Sequence, residues 1–174
     1  MKYDDLPPTL EELPELLKKH LNYEIGMFFG LAAIIPRVAG AEPEVVNAIK
    51  ESLLIHARVL MDFFGPTRTK DDLMAFDYID DWNSESHGGA ELVWLEDSLG
   101  RYIDKRVAHL TAYRVRVPKA DDAQYIADVV RNMSAVMCVF HRGLPDHWRR
   151  QLRFPSPEQI RNILAPYEAP LNRG

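Results

Sequence analysis

Apolar residues recur at steps of three and four along most of this chain. Between Glu15 and Val38, the residues Leu17, Leu21, Ile25, Phe28 and Leu31 share one side of a helix, and Ala39-Gly-Ala-Glu-Pro43 stops it. A second helix is predicted from Pro43, a residue suited to a first turn, to Phe64, where Gly65-Pro66 ends it. Its inner face is Val46, Ile49, Leu53, Leu60 and Phe64. A third helix begins near Ala90 and continues to Thr111 or a little beyond, on a seam of Leu92, Leu95, Leu99, Ile103, Val107 and Leu110. Gly100 sits inside that seam at a cost of roughly 1 kcal/mol against alanine, which points to close packing there. The fourth helix opens at Asp121-Asp122 and ends near His141-Arg-Gly143, so acidic residues meet the positive end of its dipole and cations the negative end.

Shorter elements lie between and after these. Thr9 and Glu12 have the spacing of a capping box. Thr69 or Lys70 could open a short helix through Tyr78, and Asp80 to Gly89 reads as a loop. Pro145–Leu152 and Ser156–Leu164 are short helical stretches, the second with a serine cap and a proline in its first turn. The pattern predicts a polar N-terminal segment over 1–14, one helical domain over 15–165 and a frayed tail over 166–174. Four long helices with no strand signal make an all-α antiparallel bundle.

Charge adds an asymmetry to this picture. Residues 1–100 carry eight Lys and Arg against nineteen Asp and Glu, whereas residues 101–161 carry twelve against six. A basic half can attract nucleic acid. The net charge of −5 favours instead that the halves pair with each other, within one chain or across a dimer. The single cysteine, Cys138, lies in the apolar run Val136-Met-Cys-Val-Phe140 and reads as an inert buried thiol. The longest apolar run, Ile25 to Pro36, is too short to span a bilayer, so the expectation is a cytoplasmic protein with no membrane partner.

Candidate chemistry concentrates between Arg101 and Arg114. Arg101, Lys105 and His109 fall one turn apart on one strip of the third helix, with Tyr102 and Tyr113 beside them. Stacked cations need a counter-charge: a carboxylate, a partner chain or a phosphate. No Walker loop, GxGxxG, HExxH, CxxC or GxSxG is present, and neither Glu-x-x-His pair of a di-iron bundle occurs. No cofactor and no metal site is expected.

The run Asp104-Lys-Arg-Val-Ala-His109 resembles the polar-Lys-x-x-Ala-His end of the motif of HEPN domains. The second helix, with Arg58-x-x-x-Asp62-Phe63, followed by Asp77-Tyr78 and the Lys105-x-x-x-His109 helix, is similar to bacterial HEPN-like proteins. The likeness covers residues 45–115. It implies a helical bundle, often a homodimer, of a kind found in toxins, abortive-infection systems and RNA-processing factors. Active members carry an arginine separated from the histidine by four to six intervening residues. Those slots here are Tyr102, Ile103 and Asp104; Arg101 lies too far back, and Lys105 and Arg106 too close. The resemblance therefore implies a degenerate, non-catalytic module, with RNA or nucleotide held by Arg101, Lys105, Arg106, His109 and Arg114. A ribonuclease with a rearranged site is the first alternative, His109 acting as base on the ribose 2′-hydroxyl and Lys105 stabilising the phosphorane. A structural module that binds a protein partner is the second.

Four other groups carry weaker signals. His56 lies on the apolar face of the second helix and reads as a hydrogen-bonded core histidine. Glu51, Arg58 and Asp62 share a strip that can form a charge network with Lys105, Arg106 or Arg114. Asp77, Asp80, Asp81, Glu85 and His87 are an acidic loop cluster, read as solvated. His147-Trp-Arg-Arg150, with Arg142 and Arg153, could stack on a base or grip phosphates, although packing of Trp148 is favoured.

Overall fold

The computed structural model describes residues 6–68, 72–102 and 120–168. Among them every regular element is helical and none is a strand. Helices α1 (Leu13–Leu16) and α2 (Asn22–Ile34) are joined by one wide π turn at Leu17–Leu21, and α2 runs on into a 3-10 turn at Ile35–Val38. The π turn has a cause in the sequence. Leu13, Leu17, Leu21 and Ile25 are spaced four apart, and each such step drifts by about 40° around a regular α-helix. A wider turn takes up the drift, and all four side chains stay at 3% exposure or less.

The other helices are α3 (Pro43–Phe64), α4 (Ser84–Tyr102), α5 (Ala120–Gly143), α6 (Asp146–Arg149) and α7 (Pro157–Glu168). α2 packs on α3 and α4 on α5; α3 touches both α4 and α5, while α7 lies against α5 and α2. The shared core includes Phe28, Leu53, Leu60, Phe64, Met133 and Phe140. At the end where α3 stops, Phe63, Phe64 and Phe140 meet edge to face with ring centroids 5.0–5.4 Å apart. Trp82 closes that cluster and donates its indole N–H to the Phe64 carbonyl at 3.1 Å, while the Tyr78 hydroxyl donates to the Leu13 carbonyl at 3.0 Å. No described helix is long and apolar enough to cross a membrane.

Three local expectations change. The predicted loop Asp80–Gly89 is helical from Ser84, because the Asn83 side-chain oxygen accepts the Ser86 N–H at 3.1 Å and caps the first turn. Gly89 then breaks the helix at φ 59°, ψ −157°, a conformation open essentially to glycine alone. The expected tail from Pro166 is instead the last turn of α7: Tyr167 is buried, and its hydroxyl donates to the Ala32 carbonyl at 2.6 Å. At the other end the helix starts at Leu13, which is buried in the core. The extension of the third helix beyond Tyr102 and the stretch Val115–Pro118 lie outside the described residues.

Candidate functional site

Of the cations singled out in the sequence, Arg101 stands in the last turn of α4, so its backbone is helical. Lys105, Arg106, His109 and Arg114 lie outside the described residues.

The strip of Glu51, Arg58 and Asp62 sits on α3. Arg58 donates from Nε to Asp62 Oδ2 at 3.1 Å, one turn along the helix. Both line a cavity of about 430 Å³ between α3 and α4, together with Thr67, Asp72 and Glu96. Among the described residues, the α4 group that lines this cavity with Arg58 and Asp62 is the acidic Glu96. Partial burial and the neighbouring Asp97 push the Glu96 carboxyl above the usual carboxylate range. Glu51 is exposed and does not line this cavity. A second cavity of about 360 Å³, lined by His20, Glu24, Asp62 and Asp72 among apolar groups, adjoins the first along Asp62 and Asp72.

His56 is buried on α3, its Nδ1 2.7 Å from Glu24 Oε2 on α2, with the Tyr23 ring edge-on at 5.7 Å. The partner was legible in principle: Glu24 falls between Leu21 and Phe28 on the buried stripe of its own helix, where a lone carboxylate needs a donor.

Of the acidic cluster, Asp77 and His87 make local contacts, and the Glu85 side chain lies outside the described residues. Asp77 accepts the Met74 N–H at 2.8 Å and pairs with the Arg68 guanidinium, which also stacks over Phe76. His87 stacks on Trp82 with centroids 5.1 Å apart, and Asp80 and Asp81 are exposed. Among the described residues no group of three or more His, Cys, Asp or Glu is arranged to hold a metal ion.

The basic aromatic patch divides into two kinds of residue. Arg149 is structural: its guanidinium donates to the carbonyls of His141, Arg142 and Leu144 at 2.6–3.2 Å and so satisfies the open end of α5. Trp148 packs edge-on against Tyr78 at 5.2 Å. His141 stacks flat on Phe154 at 4.4 Å, and burial, reinforced by Arg149 and Arg142, lowers its pKa. Arg142, Arg150 and Arg153 are exposed, and His147 with them. The Arg153 N–H donates to Asn22 Oδ1 at 2.6 Å, which ties this basic segment to the start of α2, next to Lys18 and Lys19. Cys138 is half-buried, and desolvation raises its thiol pKa.

No family model, no curated protein and no solved structure matches this chain. The likeness to HEPN domains rests on the quoted residues alone.

Proposed function

We propose that this protein is a non-catalytic, HEPN-like helical bundle that binds RNA or nucleotide phosphates through its basic second half, as a cytoplasmic homodimer. One observation carries the reading. The ion pairs between two described residues each lie within one half: Glu15 with Lys19, Arg58 with Asp62, Arg68 with Asp77, Asp128 with Arg131 and Asp146 with Arg149. Among the described residues, Arg142, Arg150 and Arg153 of the basic half are exposed and none of them has a carboxylate partner. Exposed guanidinium groups at that density suit phosphate.

The residues proposed to bind are Arg142, Arg150 and Arg153 together with Arg101, Lys105, Arg106, His109 and Arg114, the last four of which lie outside the described residues. Titration of labelled single-stranded RNA tests this: the double variant Arg150→Glu, Arg153→Glu weakens binding at least tenfold, and unchanged binding removes the described part of the surface. The rearranged-ribonuclease alternative, with His109 and Lys105 as base and cation, predicts cleavage by the wild type that His109→Ala abolishes. The reading above predicts intact RNA with both proteins.

The interaction-module reading has its own support. Tyr23, Ile55 and Val59 are 44–54% exposed on the α2–α3 side, an apolar stripe suited to a protein partner or a second copy. Sedimentation of wild type and Val59→Glu separates these cases: a dimer that the substitution dissociates places the stripe at the self-interface.

A further inference from the structure

A third cavity, about 320 Å³, opens between the Ile35–Val38 turn, α3, α5 and α7. Its walls include Ile35, Val46, Ile126, Ala127 and the ring of Tyr167. Among the described residues one charged group lines it, Lys50, which is half-buried and has no carboxylate partner among them; Gln124 adds an amide. The Tyr167 hydroxyl is committed to the Ala32 carbonyl, so the ring presents its apolar body. Pockets that hold small molecules combine this volume, mostly apolar walls and one or two polar groups that fix orientation.

We propose that this cavity binds a small monocarboxylate with an apolar body, its carboxylate on Lys50 and its hydrocarbon between Ile126, Ala127 and Tyr167. The two other described cavities carry several carboxylates each and do not suit an anion. Size sets the class: at roughly 30 Å³ for a water-sized group, the space holds about ten non-hydrogen atoms, the scale of a medium-chain or aryl carboxylic acid. An amine of the same length would meet the Lys50 ammonium with like charge, and an alcohol would forgo the ion pair.

The test is calorimetric titration of the full chain with sodium octanoate, 1-octanol and octylamine. The expected result is saturable one-to-one binding of octanoate, about tenfold tighter than 1-octanol, with no binding of octylamine. Lys50→Met, a change at a half-exposed position, removes the advantage of octanoate over octanol and leaves the alcohol binding as before. Ala127→Leu fills the cavity and abolishes both; if that variant melts early, chemical-shift perturbation of Ala127 and Tyr167 in the wild type replaces it. No saturable binding of octanoate, or octanoate binding that Lys50→Met leaves unchanged, overturns the proposal.

Discussion

His56 and Glu24 show how much a single pair fixes. A histidine and a carboxylate face each other at 2.7 Å across the α2–α3 contact, both largely withdrawn from water. Removing one leaves the other buried without its partner. His56→Ala should cost about 2 kcal/mol, read from chemical denaturation, and the pair should show coupling in a double-mutant cycle with Glu24→Gln. The imidazole was legible as a core group from its place on the apolar face of α3, and Glu24 as a carboxylate in need of a donor; that the two pair was not, because periodicity locates faces and does not say which faces meet. His141 gives the pH dependence. Stacked on Phe154 and flanked by arginines, its pKa is lowered, so the folded state resists a proton that the unfolded chain accepts. Its contribution is present above about pH 6.5 and falls away as pH drops through the folded pKa. A His141→Phe variant should lose less stability on acidification over that window, as thermal melts at a series of pH values would show.

Helix ends and breaks decide how the elements meet. The steps of four from Leu17 to Ile25 forecast a helix, but the π turn that keeps them aligned with Leu13 needs the packed neighbours to be seen. Gly89 was read as part of a loop; capping by Asn83 carries helix through it and leaves the glycine as a bend. Gly89→Ala should destabilise by about 1–3 kcal/mol, since φ 59° with ψ −157° is closed to residues with a Cβ. Tyr167 shows the opposite error, a residue assigned to a tail that is a latch between α7 and α2. Burial pushes its phenol up to about 12, against about 10 in an unfolded chain. That stabilisation is complete below pH 10 and lost as pH rises through 12. Tyr167→Phe, which lacks the hydroxyl, should cost about 1 kcal/mol at neutral pH and flatten the alkaline limb of the stability curve.

At the scale of the molecule, the all-helical class followed from periodicity, because amphipathic stretches of this length have few other ways to bury their faces. The site did not follow so directly. Charge counts by halves suggested mutual pairing; the ion pairs between described residues are local, most of them three or four residues apart along one helix, and the cations from Lys105 to Lys119 lie outside the described residues. Local pairs form wherever opposite charges share a helix face, whatever the regional balance. A basic surface left unpaired by its own chain is the claim on which the proposed function stands. The slope of log affinity against log salt for single-stranded RNA tests it most directly. Neutralising three or more phosphates predicts a slope of about −2 or steeper, reduced by about 1.4 in the Arg150→Glu, Arg153→Glu variant. A flat salt dependence, or the same slope in both proteins, would contradict it.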